Sequence, residues 1–279
     1  MIRLAENTDK NGLITLWQEA FGDSAESVEF FLNRRFTPHN TVVAEENGRI
    51  VSMLYLLEGK VACSNEIYNA YYLYAAATLK SHRGRGLMAL MLDYAKNIAY
   101  ERDIDLICLK PADDGLYEYY GRYGYKPVFA TQTAVISKNE SICNNSIVAE
   151  KCTDYFNARE INFKNSDRFI WDKNAIEFAL DFHKFFGGKV FEACNGYCLY
   201  SSDDDFCHVK EFCFTQKDFE IIFDKINTNN AKIKVDLPVD FQLGSGNSHI
   251  RRNGMALAVT DKGAEIYDFN NLYLNLTLD

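Results

Sequence analysis

Residues 83–88 read Arg-Gly-Arg-Gly-Leu-Met, and this short stretch decides the fold because of what surrounds it. A strand-like apolar run from Tyr71 to Leu79 precedes it, and an amphipathic run from Gly86 to Ile98 follows it. A strand that enters a helix through a glycine-containing turn leaves the first N–H groups of the helix free. The helix dipole and two arginines add positive charge there, so the stretch predicts a phosphate-binding turn.

The spacing of this turn narrows the class of phosphate site. It has neither the Gly-Lys-Ser/Thr of a Walker loop nor the Gly-x-Gly-x-x-Gly of a dinucleotide fold. It resembles the Arg/Gln-x-x-Gly-x-Gly/Ala turn with which GCN5-related N-acetyltransferases (GNAT) hold the pyrophosphate of acetyl-CoA. Met88 stands where that pattern has Gly or Ala. Taken alone, the stretch is also compatible with an Arg/Gly cap on a surface helix.

A second motif lies downstream, at residues 116–127, which read Leu-Tyr-Glu-Tyr-Tyr-Gly-Arg-Tyr-Gly-Tyr-Lys-Pro. It resembles the Phe/Leu-Tyr-x-x-x-Gly-Phe/Tyr segment of the same family. Tyr120 falls four residues before Gly124, the place of the tyrosine that protonates the leaving thiolate in the family. Residues 105–110 between the motifs read as a buried strand. The order strand, turn, helix, strand, helix with tyrosine therefore matches the family.

The resemblance implies an α/β fold with an α+β mixed sheet, namely a GNAT acetyltransferase fold followed by a second, degenerate GNAT-like domain. The sequence predicts a catalytic domain over 1–136, a polar linker over 137–146 and a second domain over 147–279. Helical spacing over 9–21 and a hairpin signal at Glu46-Asn-Gly48 support the first domain.

The second half reads as a weak repeat of the first. A helix over 176–186, strands over 189–200 and 206–214, a helix over 218–226 and a strand over 231–235 are predicted. After Phe214 the chain reads Thr-Gln-Lys-Asp, without glycine or arginine, so this domain is predicted to have lost its cofactor site. The alternation in 271–279 predicts an exposed strand with four leucines on one face, Leu272, Leu274, Leu276 and Leu278.

Taken together, the chain resembles the enhanced-intracellular-survival type of acetyltransferase, a bacterial branch that acetylates aminoglycosides and other amines. Residues 81–88 and 120–125 carry this resemblance. That branch places a degenerate acetyltransferase-like domain after the first one and then adds a sterol-carrier-like domain. A chain of 279 residues is too short for all three.

The resemblance implies roles for named residues. The pyrophosphate would be held mainly by backbone N–H groups of Arg83, Gly84, Arg85, Gly86, Leu87 and Met88. The pantetheine arm would pair with an exposed strand edge formed by Ala76, Ala77, Thr78 and Leu79. One of those amides would also hold the developing oxyanion of the thioester. Tyr120 would protonate the thiolate, whose pKa is about 8.5.

The base for the incoming ammonium is the least defined role. No Glu or Asp lies in the strand 71–79. Because the C-terminal carboxylate enters the active site in the resembled branch, Asp279 is the predicted catalytic partner of Tyr120. Glu58, Asp113 and Asp114 remain alternatives, and His82 is assigned to the turn.

The net charge and the composition limit the classes of partner that are expected. A net charge of −9 argues against a nucleic-acid partner, which would require a basic face, and is compatible with a cationic amine. No apolar run reaches the ~18–20 residues that span a bilayer, and the start shows no signal segment, so a cytoplasmic protein without membrane contact is expected. A homo-oligomer is compatible with the sequence, which does not determine the oligomeric state.

The eight cysteines are scattered and are expected to be core residues of a protein in a reducing compartment. The group Cys194, Cys198, Cys207-His208 and Cys213 leaves a zinc site as an alternative, although the CxxC pairs typical of zinc are missing. Several of these thiols would instead be interior side chains of a hairpin, and no metal is expected.

The sequence thus predicts an N-acetyltransferase that moves the acetyl group of acetyl-CoA to a primary amine of a small molecule. One alternative is a binding module that senses acyl-CoA without turnover. Another is an acyltransferase that uses a longer acyl chain or acts on a protein amine.

Overall fold

The computed structural model describes residues 1–137, 150–226, 230, 232–243 and 247–278. The elements of the first part are β1 Ile2–Leu4, α1 Lys10–Phe21, α2 Ala25–Arg35, β2 Thr41–Glu46, β3 Arg49–Cys63, β4 Glu66–Thr78, α3 Leu87–Glu101, β5 Leu106–Leu109, α4 Asp114–Gly121 and β6 Lys126–Ser137. Those of the second part are α5 Tyr155–Asn162, β7 Arg168–Ile170, α6 Lys173–Phe185, β8 Lys189–Ala193, β9 Gly196–Ser202, β10 Cys207–Cys213, α7 Phe219–Lys225, β11 Lys232–Leu237, β12 Asn247–Ala258 and α8 Asp261–Ala264.

The chain forms two compact units, each made of several segments. The first unit contains Met1–Val61, Asn65–Lys126 and Gly254–Asp268. The second contains Ala62–Ser64 and the described residues of Pro127–Asn253 and Phe269–Asp279. Packing therefore returns the segment Gly254–Asp268 to the first unit. As a division into functional domains, the boundaries at 136 and 147 stay a prediction. Residues 138–149, which include most of the predicted linker 137–146, lie outside the described residues.

The helices at the start of the first unit follow from the predicted apolar spacing. In α1 the buried positions are Leu13, Leu16 and Trp17, which lie on one face. Gly22 ends this helix with a φ of 82°. Ser24 is the N-cap of α2, and its hydroxyl accepts a hydrogen bond from the N–H of Ser27 at 3.1 Å.

Antiparallel strands come next. Strands β2 and β3 pair from Thr41↔Tyr55 to Glu46↔Arg49. The turn between them places Asn47 at φ 52° and Gly48 at φ 75°, the two left-handed residues that a tight hairpin turn of this type requires. The predicted hairpin is therefore confirmed.

A parallel crossover follows and positions the candidate site. Strand β4 runs through α3 to β5, and the two strands are parallel over Ala70–Tyr72 and Leu106–Cys108. On the other side of β5, Met255–Ala258 of β12 pair with it antiparallel. All four residues of β5 are buried, which is typical of a strand covered on both faces.

The second unit contains another parallel crossover. Strand β10 passes through α7 to β11, and Cys207–Val209 are parallel to Ile233–Val235. Antiparallel pairs extend this arrangement on both sides, β9 with β10, β8 with β9 and β11 with β6. The expected second GNAT-like layout of antiparallel strands, helix and parallel strand is therefore present.

Two sequence predictions for this unit require correction. The strand expected over 189–200 is broken into β8 and β9, which turn back on each other at Ala193↔Gly196. The chain end is not an exposed strand: Leu272, Tyr273 and Leu274 are all buried, so both sides of the segment are covered. Leu276 and Leu278 have positive φ values of 57° and 64°, which break the extended backbone.

The cysteine prediction holds for the hairpin of β9 and β10. Cys198, Cys207 and Cys213 are buried, whereas Cys194 is exposed. Over the described residues, no group of three or more His, Cys, Asp or Glu side chains is arranged to hold a metal ion. None of the helices in that part of the chain combines the length and the apolar character that crossing a membrane requires.

Candidate active site

The turn between β4 and α3 is built by two left-handed glycines. Gly84 and Gly86 both have a φ of 75°, which residues with a side chain rarely adopt. A Cβ atom at either position would meet no described atom within 4 Å, so the backbone conformation, not crowding, calls for glycine. The same open space lets a ligand approach the backbone closely.

The start of α3 offers unpaired backbone donors. Gly86 is its N-cap residue, and no side chain caps it. The first helical hydrogen bond runs from Leu90 N–H to the Gly86 carbonyl at 3.2 Å. The N–H groups of Leu87, Met88 and Ala89 therefore have no partner inside the helix. Together with the dipole of this 15-residue helix, they favour an anion at this point.

The two arginines of the turn differ in their contacts. Arg83 Nε donates to the carbonyl of Thr78 at 2.9 Å, so this guanidinium ties the turn back to the end of β4. Arg85 is more open, with 57% of its side chain exposed and Nη1 at 3.5 Å from Glu46 Oε2. Arg85 is thus the arginine that can reach a ligand.

Sequence reasoning missed Glu46 as a neighbour of this turn. Its Oε2 lies 2.8 Å from His82 Nε2, while Ser81 Oγ lies 2.8 Å from His82 Nδ1. These contacts agree with the assignment of His82 to the turn. No pattern in the sequence links Glu46 to His82, because the two meet only when β2 and the turn are folded.

The strand edge before the turn is open on one side. The ladder between β4 and β5 ends at Tyr72 and Cys108, although β4 continues to Thr78. Ala75 has a φ of 48°, an irregularity in the strand just after the ladder ends. The two strands therefore separate along the predicted pantetheine edge.

The other side of this edge is occupied by β3. Leu79 N–H donates to the Val51 carbonyl at 3.0 Å. The carbonyl of Ala77 accepts from Ser52 Oγ at 2.7 Å. Because backbone groups alternate along a strand, Ala76 and Thr78 direct theirs away from β3. The half-buried residues among the four predicted ones are Ala76 and Thr78, and the buried ones are Ala77 and Leu79.

Tyr120 lies near the end of α4, which begins at the N-cap Asp113. The Asp113 carboxylate accepts from Leu116 N–H at 2.8 Å. Tyr120 is 8% exposed, and its ring contacts those of Tyr119 and Tyr125 at centroid distances of 5.4 and 5.5 Å. Burial raises the pKa of Tyr120 to about 12, so the phenol is protonated at neutral pH.

Tyr125 forms the back of this aromatic group. Its hydroxyl is buried and has no hydrogen-bond partner among the described residues. Burial raises its pKa well above the ordinary value. Gly124, at φ 88°, packs against Leu257, whose Cδ1 would lie 3.2 Å from an added Cβ. The segment Gly254–Asp268 thus supports the Gly-Tyr turn that follows Tyr120.

Topology brings the predicted groups to one edge of the sheet. Because β4 and β5 are parallel, their carboxyl ends point to the same edge. The glycine turn follows β4, and α4 with Tyr120 follows β5. The first unit therefore contains all the predicted groups that the structure describes. They are the end of β4 (Ala76–Leu79), the turn after it (Arg83–Met88) and the helix that follows β5 (Tyr120).

Asp279, the predicted base, lies outside the described residues. Glu58 is an exposed residue of β3, Asp114 is in the first turn of α4, and Asp113 is committed to the helix cap.

Comparison with known proteins agrees with this geometry. A family model described as Acetyltransferase (GNAT) domain matches residues 1–128. A GCN5-related N-acetyltransferase from Anabaena variabilis is similar over 95% of this chain and 74% of its own, with a TM-score of 0.77 and 13% identity. A second GCN5-related N-acetyltransferase, from Kribbella flavida, is similar over 95% of this chain and 73% of its own, with a TM-score of 0.72 and 12% identity.

Eis1 from Mycobacterium abscessus is similar over 95% of this chain and 75% of its own, with a TM-score of 0.68 and 12% identity. No match was found among curated proteins. Residues 1–128 therefore match a GNAT acetyltransferase domain, and the chain as a whole has the fold of these solved structures. The likeness to the enhanced-intracellular-survival branch is confirmed at the level of the fold, and the GNAT match over residues 1–128 supports acyl transfer as the general activity.

Proposed function

We propose that the first unit transfers the acetyl group of acetyl-CoA to a primary amine of a small molecule. The observation that carries this proposal is the topology: an open glycine turn follows β4, and the helix with a buried, protonated tyrosine follows β5, its parallel neighbour. The β4–β5 ladder ends at Tyr72, so the two strands separate along the edge Ala76–Leu79. A cofactor with a diphosphate at one end and a thioester at the other matches this order of groups.

The diphosphate would bind at the start of α3. The unpaired N–H groups of Leu87, Met88 and Ala89 would donate to its oxygens, and Arg85 would add a charge-assisted contact. Met88 is half-buried there, and its bulk does not interfere with a contact made through its backbone.

The pantetheine arm would lie along the open edge of β4. Amide groups of the arm resemble a peptide backbone, so they can pair with the backbone groups of Ala76 and with the N–H of Thr78, which point away from β3. The Thr78 carbonyl already accepts from Arg83 Nε. An N–H of this edge would also bind the thioester oxygen as it becomes negative in the transition state.

The chemistry is a direct transfer. The amine nitrogen attacks the thioester carbon, the C–N bond forms, and the C–S bond breaks. The thiolate takes its proton from the Tyr120 hydroxyl. A phenol with a pKa of about 12 is a weaker acid than a thiol, so this transfer is uphill and is completed when the Tyr120 phenolate regains a proton from solvent.

The amine must lose a proton before or during the attack. We propose the carboxylate of Asp279 for this role, directly or through a water molecule, in line with the resembled branch. Glu58 and Asp114 are the alternatives, because the Asp113 carboxylate already caps α4.

A second candidate function is acyl-CoA binding without turnover. The observation that favours it is the absence of an acidic residue from the strand 71–79, next to the open edge. The turn and the edge would serve such a sensor as well as an enzyme, whereas Tyr120 would have no role in it.

The deciding experiment is calorimetric titration with acetyl-CoA, followed by a thiol-release assay over polyamines, aminoglycosides, amino acids and lysine peptides. Micromolar binding with amine-dependent thiol release supports the enzyme, and release only with peptides supports a protein acceptor. Binding without release supports the sensor, and no binding contradicts both.

Tyr120→Phe tests the acid. We expect kcat to fall about 10²-fold while the Kd for acetyl-CoA stays nearly constant, because only a proton donor is removed. Tyr123→Phe is the matched control, since Tyr123 lies on the same segment but is 37% exposed. Equal rates for Tyr120→Phe and the native chain would remove Tyr120 from this role.

A further inference from the structure

The carboxylate of Glu46 lies against the basic turn. Glu46 is the last residue of β2, and its Oε2 contacts both His82 Nε2 at 2.8 Å and Arg85 Nη1 at 3.5 Å. Its side chain is 48% exposed. A negative charge at this position opposes the binding of a phosphate, so its presence calls for a functional explanation.

The contacts of His82 show how firmly Glu46 is held. A carboxylate only accepts hydrogen bonds, so Nε2–H of His82 is the donor to Glu46. The other ring nitrogen, Nδ1, lies 2.8 Å from the Ser81 hydroxyl, which fixes the orientation of the ring. His82 therefore anchors Glu46 beside the turn.

The contact with Arg85 is different. At 3.5 Å it is at the outer limit of a hydrogen bond, and the Arg85 side chain is 57% exposed. An exposed pair of this length contributes little stability. Arg85 can therefore change partner at small cost, while Glu46 stays with His82.

We propose that Glu46 competes with the cofactor's phosphates for Arg85, so that Arg85 moves from Glu46 to phosphate when CoA or acetyl-CoA binds. This inference rests on the proposed function of the turn. A phosphate offers Arg a bidentate, charge-assisted contact, which is stronger than the long contact to Glu46. Glu46 then remains beside the phosphates and repels them, so it lowers the affinity for substrate and product alike and speeds release of CoA.

The test is calorimetric titration of the full chain with CoA. Glu46→Gln removes the charge and keeps the size of the side chain. We expect its Kd for CoA to be about three- to tenfold lower than that of the native chain at low salt. The gain should shrink as salt is added, because charges at the surface are screened.

Glu45→Gln is the matched control. Glu45 is the neighbouring residue, but its carboxylate pairs with Arg3 at 2.8 Å. The change in net charge is the same, and we expect an unchanged Kd. An equal gain from both variants would mean a general charge effect and would overturn the role of Glu46.

A double-mutant cycle with Arg85→Ala tests the exchange itself. In that background Glu46→Gln should improve affinity less than in the native one, since the group for which they compete is gone. Gains of equal size in both backgrounds would contradict the exchange. Weaker binding by Glu46→Gln would make Glu46 a support of the turn instead, with thermal unfolding used to verify that each variant is folded.

The outcome for the native chain separates this inference from the proposed function. Native binding of CoA with no change in Glu46→Gln overturns only the competition by Glu46. A native chain that binds no CoA overturns both.

Discussion

The chain contains a parallel strand–helix–strand crossover in each unit, and only the first one joins its strand to its helix through an open glycine turn. In the first unit, β4–α3–β5 has Gly84 and Gly86 in left-handed conformation before a helix of 15 residues. In the second, β10–α7–β11 has no glycine at this place, and α7 has 7 residues. Equal topology therefore does not produce equal sites.

The second crossover fills its turn with its own side chains. Asp218, the N-cap residue of α7, accepts a hydrogen bond from Thr215 Oγ1 at 2.7 Å and one from Asn195 Nδ2 at 3.3 Å. Its carboxylate thus lies at the positive end of the helix, where a phosphate would bind in the first crossover. The chain supplies the anion itself in one case and leaves the place open in the other.

The strands also differ just before the two turns. Beyond the β4–β5 ladder the first unit has the small residues Ala75, Ala76 and Ala77. In the second unit, the register of β10 shifts between Val209 and Glu211, and Glu211 is completely buried. Its carboxylate pairs with Arg159 and accepts from Tyr197 Oη at 3.1 Å. The first unit therefore leaves space for a ligand beside its strand, whereas the second unit fills the corresponding place with side chains that pair with each other.

The largest expected effect concerns this buried pair. Arg159→Met leaves the Glu211 charge without a partner, and we expect the free energy of unfolding of the second unit to fall by about 3–5 kcal/mol. Denaturant unfolding measures it. Arg49→Met is the control, because Arg49 pairs with Glu19 at the surface at 3.1 Å, and it should cost at most about 1 kcal/mol.

A double variant sharpens this result. Arg159→Met with Glu211→Leu removes both charges, so its loss should be smaller than that of Arg159→Met alone. A larger loss would mean that the pair contributes stability beyond mutual neutralisation.

The next effect concerns the open turn of the first crossover. Gly84→Ala with Gly86→Ala forces two side chains into left-handed backbone, so the turn should relax and the Kd for acetyl-CoA should rise at least about tenfold. Gly187→Ala is matched to it, since Gly187 has a φ of 79° and open space around it but lies in the second unit.

Both changes should lower the thermal midpoint, and only the first should affect calorimetric titration with acetyl-CoA. Retention of native affinity by the double alanine variant would show that the glycine turn is not what distinguishes the two crossovers.

The smallest effect concerns Tyr125 in the first unit. Its buried hydroxyl lacks a partner among the described residues, so Tyr125→Phe removes a desolvated polar group and should stabilise the unit by about 1 kcal/mol. Thermal unfolding with and without acetyl-CoA checks this. In the second unit, Tyr197→Phe removes a hydroxyl that does donate, to Glu211 at 3.1 Å, and should be destabilising. A loss of stability in Tyr125→Phe would show that its hydroxyl has a partner, such as a buried water.

Much of the first unit was readable from local patterns. Apolar spacing located α1, and the dipeptide Asn47-Gly48 located the hairpin. These signals act between residues close in sequence, which is why a linear reading finds them. Strands β1, β7 and β12 were missed, because short or polar strands depend on partners far along the chain.

The end of the chain shows the opposite case. The alternating leucines from Leu272 onwards suggested one apolar and one exposed face. The second unit buries Tyr273 as well as Leu272 and Leu274, and the Asn253 side chain donates to the Leu274 carbonyl at 2.6 Å. Alternation of apolar and polar residues indicates a strand with one solvent-exposed face. It cannot identify a segment whose two sides are both covered by other parts of the protein.

Local patterns in the sequence were enough to indicate the GNAT resemblance, the glycine turn and the place of Tyr120 in its motif, because left-handed glycines and fixed spacings are local requirements of the backbone. Only the tertiary structure decided that Gly254–Asp268 completes the first unit, that Glu46 lies against Arg85, and that Arg159 neutralises Glu211. Each of these is a contact between residues far apart in sequence, set by strand pairing and burial, and no local pattern encodes such a contact.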